Sequence, residues 1–287
     1  MEAIAVILAA LYLRGMRRPS EPRRGAWLEV SRTLRRTSCA PGHAAEALRD
    51  AGFWAEALVL ETPGLLAWAA SQVDRGRVLS VADCDYPCRW LRVLGASAPP
   101  VLWKSGVMPL VPCVSVVGSR IVAAAVSHFC FAVAGEAGRL GFGVVSGRAP
   151  GCDRAAAKGA RSAGAGLVEI LPYGINMTES SAAGCLLSVC APDDPFSAAA
   201  AMERNALIYA ASSHTVIGQA RFKEGGTWHG AVGAARSRLS TLVVRRSPDI
   251  AMRSLASLGG VWLDEPADLA KVLKVRGPQG ELFASAV

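Results

Sequence analysis

From residue 113 onward, short apolar runs are each followed by a turn rich in glycine and then by a helical pattern, and this alternation leaves few folds open. Val114–Val117 precedes a long Ala/Val-rich helical stretch that reaches about Leu140. Gly143–Ser146 leads through the loop Gly147–Gly151 into a helix from about Asp153 to Ala163. Leu167–Leu171 meets the turn Pro172-Tyr173-Gly174, Phe196–Ala211 reads as a helix, and Thr215–Gly218 precedes a helix over Thr227–Ser237. Thr241–Arg245 and Val261–Leu263 are two further strands, each with a helical pattern after it. Strands that alternate with helices predict a mainly parallel, doubly wound α/β sheet. Right-handed crossovers then bring the loops after the strands to one edge, where such sheets bind ligands.

The part before residue 113 reads differently. Residues 1–75 are expected to form a small helical N-terminal lobe, with an apolar helix at Ala3–Leu13 and shorter ones at Ala44–Ala51 and Leu65–Val73. Arg14, Arg17, Arg18, Arg23, Arg24, Arg32, Arg35 and Arg36 lie between them and read as a solvated linker. Residues 76–112 carry Tyr86-Pro87, Pro99-Pro100, Pro109 and Pro112, so the stretch from Val78 to Pro112 reads as a loop-rich extension of the domain that fills 113–287. A length of 287 residues suits one large domain or two unequal ones.

A hydrophobic fraction of 52% excludes general disorder. Mean hydropathy is +0.30, which raises the question of a membrane span. Ala3–Leu13 falls well short of the ~20 residues a spanning helix needs and has no basic residue before it, so a cytoplasmic protein is expected. The net charge of +8 favours polyanionic partners, although only clustered Arg is evidence for a site. The eight cysteines contain no C-x-x-C pair and the four histidines show no metal spacing. Reduced, mainly buried thiols follow, and His128 is expected in or near the core of its apolar helix. No nucleophile–base constellation stands out, so neither catalysis nor a cofactor is expected.

Three loops at predicted strand ends carry the chemistry. Gly118-Ser119-Arg120 offers a backbone that a phosphate can approach, the N–H groups of the next helix and a bidentate cation. Ser146-Gly147-Arg148-Ala149-Pro150-Gly151-Cys152-Asp153 adds glycines, a hydroxyl and an Asp that can cap the helix or orient a neighbouring Arg. Lys223-Glu224-Gly225-Gly226-Thr227-Trp228 opens another helix with a glycine pair and a hydroxyl. Arg204-Asn205 interrupts an apolar helix, where the pair must either be satisfied, by Glu203 or Asp153 for instance, or line a cleft.

In order, these segments resemble the DNA-processing protein A family (DprA, also called Smf). The resemblance rests on Tyr86-Pro87 with Leu91, then Pro99-Pro100 with Leu102 and Gly106, and Val117-Gly118-Ser119-Arg120. It continues through Ser146-Gly147 with Ala149, Gly151 and Asp153, then Arg204-Asn205 and Gly225-Gly226-Thr227. It departs where the family has an Ala-His pair and this chain has Ala156-Ala157, and after Pro172-Tyr173-Gly174-Ile175-Asn176. Residues 266–287 suggest a short helix and a polar end, so no winged-helix tail is expected.

The resemblance implies a Rossmann-like domain that binds single-stranded DNA without catalysis, acts as a homodimer and helps load a RecA-type recombinase during DNA uptake and recombination. Gly118, Ser119, Arg120, Ser146, Gly147, Arg148, Gly151, Asp153, Arg204, Asn205, Lys223, Gly225, Gly226 and Thr227 are the expected contacts, with Tyr173, Phe222 or Trp228 as a stacking face. The competing class is a nucleotide-binding sensor of the same superfamily. A hydrolase of the cytokinin-activating type is disfavoured, because Gly225-Gly226-Thr227 is followed by Trp228-His229-Gly230-Ala231 without the Glu that chemistry needs.

Overall fold

The structure is a computed structural model that describes residues 9, 29–30, 32–34, 41–81, 83–179 and 184–274. The expected Ala3–Leu13 helix, nearly all of the Arg-rich stretch and the end of the chain lie outside the described residues.

The chain order is α1 (Pro41–Asp50), α2 (Trp54–Leu60), α3 (Pro63–Asp74), β1 (Val78–Ser80), α4 (Cys88–Leu94), β2 (Val101–Gly106), β3 (Cys113–Val117), α5 (Ala124–Arg139) and β4 (Gly143–Ser146). It continues with α6 (Cys152–Ser162), β5 (Leu167–Leu171), β6 (Cys185–Ser188), α7 (Ala198–Ala211), β7 (His214–Ile217), α8 (Gly225–Arg236), β8 (Thr241–Arg245), α9 (Ile250–Ser257), β9 (Val261–Leu263) and α10 (Leu269–Lys274). One nine-stranded sheet runs β1-β2-β6-β5-β4-β3-β7-β8-β9. From β3 the chain winds outward through β4, β5 and β6, then returns to the other side of β3 and winds out through β7, β8 and β9. All of these pairings are parallel. Among the described residues only β1 and β2 are antiparallel, as additions at the β6 edge. This is the doubly wound Rossmann-like sheet expected from the alternation.

Strand parity divides the core. Val114 and Val116 of β3, Val144, Leu167, Val216 and Val243 face α5 and α6. Val117, Val145, Val168, Ile170, Ile217 and Val244 face α7, α8 and α9. Each such fully buried side chain is worth about 1.5–3 kcal/mol, and two covered faces explain why these strands read as unbroken apolar runs. The N-terminal helices pack on the α5/α6 face at the far end of the sheet, where Leu48, Ala57 and Leu60 share a cluster with Trp103, Leu171 and Leu186. Trp68 and Trp103 meet there with ring centroids 5.9 Å apart.

Two strands correct the reading of Val78 to Pro112 as loop-rich, and a third lies in a segment to which the sequence assigned no element. The stretch from Val78 to Pro112 holds β1, β2 and α4, and the segment after Pro172 holds β6. The prolines mark the ends of these elements, and Tyr86 Oη donates to the Pro99 carbonyl at 2.6 Å to tie two of the breakers together. His128 is a second correction, because it lies on the solvent side of α5 and is exposed. Cys113, Cys130, Cys152, Cys185 and Cys190 are buried and free, whereas Cys84 is exposed.

Candidate nucleic-acid interface

The winding reverses between β3 and β7, and the loops that leave these neighbouring strands part to form a cleft of about 480 Å³. One wall is Gly118-Ser119-Arg120-Ile121 after β3; the other is Arg221, Glu224 and the first turn of α8 after β7. Helix α7 supplies the side that carries Met202, Arg204, Asn205 and Tyr209. The β3 and β7 loops are stitched at their base: Gly218 N–H donates to the Val117 carbonyl at 3.0 Å and Ser119 N–H to the Gln219 carbonyl at 2.9 Å. Two α7 side chains hold the start of α8. Asn205 Nδ2 donates to Gly226 O at 3.3 Å and Tyr209 Oη to Thr227 O at 3.2 Å.

Arg204 is 4% exposed. Its Nη1 donates to the carbonyl of Gly147, at the end of β4, and to that of Ile170 in β5 at 2.9 Å. Its Nε lies buried without a partner among the described residues, and the residue lines the cleft. Asp153 is buried beside it and accepts N–H bonds from Gly147 at 3.2 Å and Ala149 at 3.4 Å. Burial pushes the Asp153 carboxyl up to about 6, against the opposing pull of Arg204 and of the backbone N–H groups. Burial lowers the Arg204 pKa, and Asp153 partly offsets this. Two glycines make the arrangement possible. A Cβ on Gly147 would sit 1.7 Å from Arg204 Nη1 and 2.7 Å from Asp153 Oδ2. Gly151, at φ +76°, lets the start of α6 meet the β3 loop, since a Cβ there would fall 2.3 Å from the Ser119 carbonyl oxygen.

Of the expected residues, Gly118, Ser119, Arg120, Asp153, Arg204, Asn205, Gly225, Gly226 and Thr227 line the cleft. Ser146, Gly147, Arg148, Gly151 and Lys223 do not. Ser146 is fully buried and donates to Val116 O at 2.7 Å. Arg148 turns away to pair with Glu169 at 2.9 Å, an acid that Arg161 also holds at 2.8 Å. Lys223 is exposed at the tip of the β7 loop, with Nζ 5.2 Å from the Phe222 ring centroid.

The proposed stacking residues need correction. Trp228 is 8% exposed and packs edge-on against Phe222, and Tyr173 packs with the N-terminal helices. Besides the buried Tyr209, the cleft is lined by Phe196, 51% exposed, with the Arg120 guanidinium 5.5 Å above its ring. Sequence reasoning missed Phe196, because it precedes the α7 motif, and Arg221, although Arg221 follows β7 as Arg120 follows β3.

Among the described residues no group of three or more His, Cys, Asp or Glu could hold a metal ion, and no helix is long and apolar enough to cross a membrane.

The fold defines a doubly wound, Rossmann-like α/β protein with a glycine-lined, arginine-bearing crevice at its switch point, the place where open α/β sheets bind ligands. Comparison with known proteins narrows it. The family model described as DNA recombination-mediator protein A matches residues 77–256, and the chain belongs to that family. The structure of DNA processing protein A from Streptococcus pneumoniae is similar at a TM-score of 0.69 and 18% identity, covering 85% of this chain and 91% of that one. The Helicobacter pylori protein of the same name, described by its single-stranded DNA binding mode, gives a TM-score of 0.59 at 20% identity over 69% of this chain and 96% of that one. A search of curated proteins finds no match.

Proposed function

We propose that this chain binds single-stranded DNA in the β3/β7 crevice and serves DNA processing and recombination, delivering the strand to a RecA-type recombinase. The observation that carries the reading is the pairing of two exposed arginines, Arg120 and Arg221, on opposite walls of a cleft at the switch point. Each can take a phosphate as a planar, bidentate cation. The N–H groups at the start of α8 supply a further anion-binding edge, and Lys223 an outer contact as the strand leaves. Phe196 offers one base a stacking face. Arg204 acts from below as a fixed positive charge. Family membership and the described binding mode of the H. pylori relative favour a strand over a mononucleotide. The reading includes no catalytic step and no cofactor, and it has the protein work in the cytoplasm as a homodimer.

The test is a titration of the full chain with oligo-dT, duplex DNA and mononucleotides at several salt concentrations. Oligo-dT should bind best, with a log–log salt slope of about −0.7 per phosphate neutralised. Binding of a mononucleotide as tight as that of any oligomer would replace this reading with that of a nucleotide sensor. Equal affinity for duplex, or salt-independent binding, would remove it. Recombinase delivery is tested separately, by the rate of filament assembly on strands coated with a single-strand-binding protein, which the chain should raise.

A further inference from the structure

On the other side of the Gly118–Arg120 loop lies a second groove of about 430 Å³, bounded by the start of α5 and the first turns of α6. Arg120 and Ile121 line both hollows, so the two adjoin at that loop. The groove adds Arg154 and Lys158, four residues apart on α6 and both exposed. Neither has a carboxylate partner among the described residues. Like charges at this spacing weaken a helix slightly, so folding gives no reason for the pair. The neighbouring acid Asp153 does not offset them locally, because it is buried and takes its hydrogen bonds from Gly147 and Ala149. Ser127 and Gly151 line the groove beside these cations, and the positive ends of α5 and α6 add to the field.

We infer that this groove is a second segment of the nucleic-acid path, beyond the cleft and resting on the reading of the cleft as a single-strand site. A strand that leaves the cleft passes over Arg120, which lies between the hollows, and lays about two further phosphates against Arg154 and Lys158, one per cation. Among the described residues no aromatic side chain lines this groove, so the contact is to the backbone and independent of sequence. A short ligand that fills the cleft does not meet Arg154 or Lys158, which line the groove and not the cleft.

The experiment is fluorescence anisotropy of labelled oligo-dT of increasing length, with the full chain as wild type, as R154A/K158A and as R154Q/K158Q. Both side chains are exposed, and thermal melting checks that the variants keep the wild-type stability. The shortest strands that bind should bind all three proteins alike. On longer strands the wild type should gain affinity that the variants lack, by about tenfold at 0.1 M salt, with a salt slope smaller by about 1.4. Equal binding by wild type and variants at every length overturns the second segment and leaves the cleft reading standing. An equal loss on short and long strands overturns it too, since the cations would then belong to the cleft itself. A wild-type chain that binds no strand of any length overturns both.

Discussion

Arg204 Nη1 and Asp153 Oδ2 converge on the space where Gly147 lacks a side chain, 1.7 Å and 2.7 Å from where its Cβ would be. Through that point the helix carrying Arg204 is joined to the end of β4 and, by the Ile170 carbonyl, to β5. The arginine at the floor of the cleft is therefore part of the fold before it is part of any site.

Replacing Arg204 should first cost stability. Arg204→Ala strips the donors from two carbonyls and leaves Asp153 without its nearest cation, which should lower the unfolding free energy by about 2–4 kcal/mol. Arg204→Lys should recover only part, because one ammonium cannot reproduce the planar fork. Urea denaturation reads both, and a loss below about 1 kcal/mol would show the clamp to be weak.

The buried Asp153 predicts a definite sign of pH dependence. Its pKa lies near 3.8 in the unfolded chain and is raised to about 6 by burial in the folded one, so the folded state holds the proton more tightly between those values. That contribution is fully present below about pH 4 and is lost as pH rises through 6. The stability difference between wild type and Asp153→Asn should therefore shift against the wild type by about 3 kcal/mol from pH 4 to pH 7. Taking the difference cancels the other carboxylates, and a difference flat across that range would refute the assignment.

Gly151→Ala should disturb the cleft from behind. The new Cβ would meet the Ser119 and Arg120 carbonyl oxygens at 2.3 and 2.6 Å at a φ that L side chains rarely adopt. A cost of about 1–3 kcal/mol is expected, together with weaker strand binding because the Arg120 loop must move. Wild-type melting and binding would mean that the loop yields freely.

Arg120 and Arg148 should separate in a binding assay although both are arginines in glycine-rich strand-end loops. Arg120→Ala should weaken oligo-dT binding about fivefold at 0.1 M salt and reduce the slope by about 0.7, with unchanged melting. Arg148→Ala should leave binding alone, because its guanidinium is engaged by Glu169. The reverse pattern would move the strand to the β4 loop.

The physics of burial explains what could be read from the residues alone. Val114–Val117, Val144-Val145 and Leu242–Val244 are covered on both faces, so they stand out as apolar runs closed by turns. By contrast, β1 has three residues, β2 carries Lys104 and Ser105 among its apolar side chains, and β6 is Cys-Leu-Leu-Ser with no β-branched residue. These were masked by flanking prolines and by their position outside the regular alternation. In the site, glycine loops revealed the strand ends, but no local pattern told Arg148 from Arg120. Glu169, which decides the matter, lies on the neighbouring strand 21 residues away. Trp228 follows a glycine pair like a ligand contact, yet its helix turns it into the core against Phe222.

The clamp made by Arg204 also bears on how relatives of this chain should be sorted. A protein that had lost every affinity for nucleic acid would still be held to an arginine there, because its sheet would loosen without it. Retention of that residue across distant relatives thus dates the architecture, not the activity. The informative positions for inherited binding are those with no share in folding, Arg120 and Arg221 at the rim, which drift as soon as selection for a ligand is relaxed.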